Sequence, residues 1–206
     1  MKEEIRAPFL PYEEIRRKAD EFLSRYHSEE SIPIPIEKII EFQLRMDIVP
    51  VPGLRGVIEA EGFTTSDLKE IHVDGDIYER HPNRYRFTLA HEVGHVVLHA
   101  EIFQKRNWRN IDEWKAFVNS IPEKEHGWLE SHAYSFGGLV LVPREHLIQE
   151  TKLCVDLLIK EGIDLQANWD FAWEQMAEGL AKRFSVSAPV IEKRLDKDHV
   201  KEEFRS

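Results

Sequence analysis

The chain has 206 residues, enough for one sizeable domain with a small appendage, and its 42% apolar and 32% charged residues are those of a globular protein in water. A formal charge of −10 argues against broad nucleic-acid binding, which relies on neutralising phosphates, and suits a basic protein partner instead. One cysteine, Cys154, excludes internal disulfides and cysteine–zinc clusters and defaults to a buried structural thiol. No stretch approaches the roughly 18 apolar residues of a membrane span, and Met1-Lys-Glu-Glu-Ile5 lacks the basic-then-apolar start of a signal peptide, so the expected location is the cytoplasm.

Taken in chain order, residues 12–27 read as a first helix with Ile15, Ala19, Phe22, Leu23 and Tyr26 on one face. Ser31-Ile-Pro-Ile-Pro35 is a linker, and Pro35 suits the first turn of a helix reaching about Met46. The period then shortens. Asp47–Val51, Arg55–Glu61 and Lys69–Asp74 are β-type runs separated by Pro-Gly, Gly62 and Asp-Gly turns, which predicts a small, largely antiparallel sheet with an open edge for an extended peptide. A buried helix follows at 83–101. Residues 102–127 break the pattern and read either as a mobile lid or as a short packed helix at 111–119. Helices are predicted again at 128–141, 144–161 and 168–184, and the last ten residues as a solvated, frayed tail.

The chemistry is concentrated in the buried helix. His91-Glu92-Val-Gly-His95 is an H-E-x-x-H motif, and four-residue spacing projects both imidazoles from one helix face toward one ion. Glu92 lies about 60° around the helix from His95, close enough to reach a water on that ion without ligating it. Two neutral nitrogen ligands, an open coordination position and a nearby base are what a zinc hydrolase requires. Phe87, Ala90, Val93, Gly94, Val97 and Leu98 surround the polar triplet with apolar or small residues, and buried histidines and a carboxylate are costly unless paired or metal-bound.

The third ligand must come from elsewhere. His99 lies about 12 Å along the helix axis from His91, so it cannot complete the site, but it can pair with His95 or pack behind it. Leu98 and Glu101 stand where a three-histidine metzincin pattern needs Gly and His. Among the downstream carboxylates Glu101, Glu113, Glu123, Glu125 and Glu130, the last is best placed. It opens Glu130-Ser-His-Ala-Tyr-Ser-Phe-Gly-Gly-Leu-Val-Leu-Val-Pro143, a second buried helix whose small residues 133, 137 and 138 permit close approach to the first. A solvated charge in a first helical turn is the alternative role for Glu130.

Arg86–His99 and Glu130–Pro143 together resemble the ImmA/IrrE family of zinc metallopeptidases, whose pattern is R-F-T-L-A-H-E-x-G-H-x-L-L-H followed by E-x-x-A-N-x-F-A-x-x-L-L-M-P. The resemblance extends through Ile34–Ile40, Leu180–Ser187 and Arg194-Leu195. It implies a gluzincin-like site with Zn2+ on His91, His95 and Glu130 and with Glu92 as general base. It also implies a protein substrate, a helix-turn-helix transcriptional repressor whose removal releases silenced genes. The chain departs from the pattern at Tyr134, where Asn or Asp is usual, and at Gly137, where Ala is usual. Tyr134 is either a packed aromatic or a phenol donor to an oxyanion. His132, about 200° around the helix from Glu130, is a weak ligand candidate that can instead support a ligand from behind.

The expected architecture is therefore α+β: a zincin-like, mostly helical domain over residues 1–150 with a small sheet beside the metal helix, then a C-terminal helical region over 151–206. Leu180–Leu195 reads as two helices meeting at a Ser-Val-Ser turn, with Lys182, Arg183, Lys193 and Arg194 against Glu192. Helix-turn-helix spacing of this kind reads DNA in other proteins, but Pro189 and the acidic chain point to a packing or substrate-docking module. Zinc endopeptidase is the leading function. A zinc-binding anti-repressor that acts by capture, and a DNA-binding regulator using residues 180–195, are the rivals.

Overall fold

The computed structural model describes residues 5–29, 31–163 and 169–204. Residues 1–4, the helix start expected at 168 and the last two residues of the expected tail lie outside the described residues. The fold is α+β, mostly helical with one small sheet. Helix α1 (Tyr12–Tyr26) buries Ile15, Ala19, Phe22 and Leu23, the stripe its periodicity announces. Helix α2 (Ile36–Lys38) runs on into a π-helical segment, Ile39–Leu44, which Arg45 closes in a left-handed conformation at φ 57°.

The sheet has strands β1 (Asp47–Val51), β2 (Gly62–Thr64) and β3 (Glu70–Asp74) in the order β1-β3-β2. Its pairing is mixed. β2 and β3 are antiparallel, with Phe63 opposite His72, whereas β1 and β3 are parallel, with Val49 opposite His72. Pro50 sits in β1 at one edge, where a missing N–H removes no ladder bond.

The strand expected over Arg55–Glu61 does not form. Helix α3 (Leu54–Ile58) occupies its first part, flanked by left-handed Gly53 and Glu59, and buries Leu54 and Ile58, which are four residues apart. The apolar residues there follow helical spacing rather than alternation, and the strand begins only at Gly62.

Helix α4 (Gly75–Arg80) is capped by Asp74, whose carboxylate accepts from the Asp76 and Ile77 amides. The long helix α5 (Pro82–Gln104) starts with Pro at its first position and carries the H-E-x-x-H motif. Residues 105–122 hold the short helix α6 (Ile111–Val118), capped by Asn110. Trp108, before it, is fully buried and stacks on Phe117 with ring centroids 4.0 Å apart, which pins the segment to the body.

Helix α7 (Glu123–Leu141) begins seven residues before Glu130 and is longer than the second buried helix read from sequence. Helices α8 (Arg144–Lys160), α9 (Trp169–Phe184) and α10 (Ala188–Lys197) follow. One apolar core joins α1, α5, α7, α9 and α10 through residues such as Phe22, Leu89, Phe136, Leu180 and Ile191. A satellite cluster of Leu54, Ile58, Phe63, Phe103 and Trp108 lies under α6. As far as residue 204, the expected tail is packed rather than frayed. A 3-10 turn, Val200–Phe204, buries Val200, sets Phe204 6.1 Å from the Trp173 ring and pairs Glu203 with Arg144 at 2.8 Å. Val200 and Phe204 are the apolar residues that hold it, against the polar composition around them.

Candidate metal centre

Two glycines let α5 and α7 meet. A Cβ on Gly94 would stand 2.9 Å from the Ala133 Cα, and one on Gly137 would stand 3.1 Å from the His91 backbone nitrogen. The two near-contacts run in opposite senses along the helices, so α5 and α7 are antiparallel, with backbones close enough for short side chains to converge between them.

His91, His95 and Glu130 do converge, with one donor atom from each lying within 4.8 Å of the others. The His91 and His95 Nε2 atoms are 3.1 Å apart. Glu130 places Oε2 3.2 Å from His91 Nε2 and Oε1 3.4 Å from His95 Nε2. Two ligand atoms about 2.0–2.1 Å from a tetrahedral zinc lie roughly 3.3 Å from each other, so this triangle has the dimensions of a zinc ligand set. The facing nitrogens and carboxylate also call for positive charge between them. Burial pushes the His91 imidazole down, but the hydrogen bond to Glu130 and the charges of Glu92 and Glu130 outweigh it and raise it above its ordinary value. Burial likewise opposes ionisation of Glu130, yet hydrogen bonds from His91 and His95 hold its carboxyl far below the usual range.

His99 sits behind His95, with the two Nδ1 atoms 3.1 Å apart. Burial, followed by the charges of His95 and His132, pushes His99 down to about 2, so it is neutral and can accept from His95. With an ion in the triangle, that contact lets His95 donate from Nδ1 and leaves its Nε2 lone pair free to ligate. His132 is buried 5.7 Å from the His99 ring, outside the ligand triangle. Tyr134 faces the cleft, with its ring 4.9 Å from Phe87 and the Lys193 ammonium 4.1 Å above its centre.

Glu92 is buried beside the triangle and accepts from the Thr64 hydroxyl at 2.9 Å. Thr64 lies on β2, so the strand edge and the carboxylate are tied together. A neighbouring bond from Thr88 to Glu61 at 3.0 Å ties the residue just before the strand to α5 as well. Gly62 is required at this crossing, because a Cβ there would stand 2.8 Å from the His72 carbonyl oxygen and 3.0 Å from Thr88.

Two neighbours were not singled out from sequence. Thr64 gives no signal, since its partner is 28 residues away. His126 does. It precedes Glu130 by one helical turn on α7, and its Nε2 lies 3.5 Å from Glu130 Oε1.

The cluster lies in an open cleft of about 1070 Å3. β2 borders it with the edge that β3 leaves unpaired. The Asp74 amide donates to the Glu61 carbonyl and the Thr65 amide to the Glu70 carbonyl, so alternation turns the backbone groups of Gly62 and Thr64 away from β3. The Trp108 indole N–H occupies the Thr64 carbonyl at 2.9 Å.

The model of the IrrE N-terminal-like domain, peptidase M78, matches residues 77–196, which is more than half of the chain and includes both helices of the site. The chain belongs to the IrrE N-terminal-like family. The wider fold is similar to a solved Mycobacterium tuberculosis transcriptional regulator, at TM-score 0.53 and 15% identity over 89% of this chain. The chain spans about half of that neighbour, 46% of its length. No curated protein sequence matches significantly. Among the described residues of this IrrE-like chain, no helix is long and apolar enough to cross a membrane.

Proposed function

We propose that the chain is a zinc endopeptidase that cuts an exposed bond in a protein substrate, a helix-turn-helix transcriptional repressor. The observation that carries this reading is the convergence of His91, His95 and Glu130 from two helices with Glu92 held beside them by Thr64. His91, His95 and Glu130 would hold the ion. Zinc, when bound, supplies Lewis acidity, lowering the pKa of water and polarising a carbonyl oxygen.

Glu92 does the proton work. Its carboxylate takes the proton of the attacking water and returns it to the leaving amine. Thr64 restrains that carboxylate, and a restrained base transfers protons without first paying the entropy of orientation. The outward backbone groups of Gly62 and the Thr64 amide hold the substrate as an added strand, which sets its carbonyl against the site. His99 keeps His95 in the tautomer that ligation needs.

A repressor as substrate follows from the resemblance of the two motifs to the ImmA/IrrE peptidases. The acidic chain suits a basic, DNA-binding partner. The α9–α10 turn supports docking rather than DNA reading. Arg194 is buried on the Val142 carbonyl and Asp198, and Arg183 is engaged by Glu150 at 2.8 Å, so both arginines of the motif are committed within the chain. Incubating zinc-loaded protein with a helix-turn-helix repressor encoded beside it, in parallel with Glu92→Gln, tests the reading. New termini with the wild type alone are expected. Equal cleavage by the variant refutes the role of Glu92, and capture of intact repressor by both proteins favours the anti-repressor.

A further inference from the structure

The cleft is not uniform along its length. On the side of the α5 N-terminus its walls carry Glu61, Arg80, His81 and Arg84. On the side of α6 they are Phe103, Trp114, Phe117, Val118, Ile121 and Leu129. Asn119 and His126 are the polar side chains that α6, the turn after it and the first turn of α7 add to the lining.

This apolar end is continuous with the metal centre and with the strand edge. Phe103 stacks on the ligand His95, with ring centroids 5.4 Å apart and planes 24° apart. Leu129 immediately precedes Glu130. Trp114 reaches from α6 to within 5.5 Å of the Phe63 ring on β2. Phe117 is fixed between Phe103, at 5.9 Å, and Trp108, at 4.0 Å, so this wall is preformed by packed aromatic rings. A chain laid along Gly62–Thr64 projects alternate side chains to opposite faces, and the wall begins one side chain from the ligands.

We propose that this end of the cleft is a specificity subsite that takes one large aliphatic or aromatic side chain, of the Leu, Met or Phe class, next to the scissile bond. The inference rests on the peptidase reading and names the substrate class of that site. A charged side chain would be desolvated here without a partner, whereas an apolar one gains the burial of its own area and of the partly exposed Trp114 and Phe117 rings. The charged opposite end makes the cleft polar at one side of the bond and apolar at the other, which fixes the register of a bound segment. Helix α6 is thus a wall of the site and sets selectivity.

Peptide hydroxamates identical except for the side chain beside the metal-binding group (Leu, Phe, Ala, Asp or Lys) provide the probe, with binding to the zinc-loaded full chain measured by calorimetry. Leu and Phe compounds should bind at least about tenfold more tightly than the Ala compound, the scale of a filled apolar pocket. Phe117→Ala should reduce that preference. Because Phe117 also packs on Trp108, Val118→Asp at the partly exposed rim serves as a second variant. It should weaken the Leu compound and strengthen the Lys compound. Equal binding of Leu and Ala, preference for Asp or Lys by the wild type, or no binding of any probe overturns the subsite. A chain that prefers Leu yet cuts no repressor retains the subsite and loses the peptidase reading. A chain that cuts without preference does the reverse.

Discussion

Thr64 and Gly94 each make a close contact at the site, and each yields a sharp expectation. The Thr64 hydroxyl is the side chain that restrains Glu92, at 2.9 Å. Thr64→Val keeps the shape and removes the donor, so it should lower turnover by about 10- to 100-fold with KM little changed, while Thr64→Ser should restore most of it. Steady-state kinetics on one cleaved peptide separate these outcomes, and an equal loss in the Ser variant would make Thr64 a packing residue. Gly94 is one of the two points where the α5 and α7 backbones come closest. Alanine is the better helix former by about 1 kcal/mol, yet its methyl would enter the Ala133 backbone at 2.9 Å. Gly94→Ala should therefore destabilise the fold by roughly 1–3 kcal/mol, read by denaturant unfolding, and should loosen zinc binding as the helices part.

At the scale of elements, the cap on α4 links local chemistry to pH. Hydrogen bonds from the Arg55, Ile77 and Asp76 amides, opposed by burial, hold the Asp74 carboxyl below its ordinary value. Its native pKa is lower than its unfolded one, so its contribution is complete above about pH 4 and fades as pH falls through the native value. Asp74→Ala should cost about 1 kcal/mol near neutral pH, and the gap between variant and wild type should close under acid. A gap that persists undiminished below pH 3 would rule out the carboxylate as its source.

The elements also show what sequence could and could not disclose. Helices α1, α5 and α7 were legible because their apolar residues recur at helical spacing, and the ligand triangle because His91, His95 and Glu130 sit in patterned segments. The Arg55–Glu61 strand was misread because a five-residue helix offers too short a window to separate Leu54 and Ile58 from alternation. The parallel β1–β3 pairing and the Thr64–Glu92 bond are long-range outcomes of packing, with no local signature. His126 was visible in its four-residue spacing from Glu130, but a histidine in a solvated first turn looks ordinary until the cleft is in place.

At the scale of the molecule, the chain's two ends are fastened through buried charge. Asp198 accepts from Arg16 at 2.8 Å and from the Tyr12 hydroxyl at 3.0 Å, and pairs with Arg194 at 2.6 Å, so α1 and α10 are locked across α7. Burial pushes the Arg194 guanidinium below its ordinary value, which marks the cost of keeping it charged there. Asp198→Ala removes the compensating carboxylate and should destabilise the fold by about 3–5 kcal/mol in thermal or denaturant unfolding. A loss under 1 kcal/mol would mean that the Val142 carbonyl and the Tyr12 hydroxyl suffice for Arg194.

Everything assigned to the cleft depends on an ion held by α5 and α7 together. The most direct test is a zinc titration of the metal-free chain, with affinity set by competition against a chromophoric chelator, for wild type, Glu92→Gln and Glu130→Ala. One zinc per chain is expected for the wild type, with nearly the same affinity in Glu92→Gln and a loss of more than about 100-fold in Glu130→Ala. Unchanged affinity in Glu130→Ala, or no stoichiometric binding by the wild type, would contradict the account.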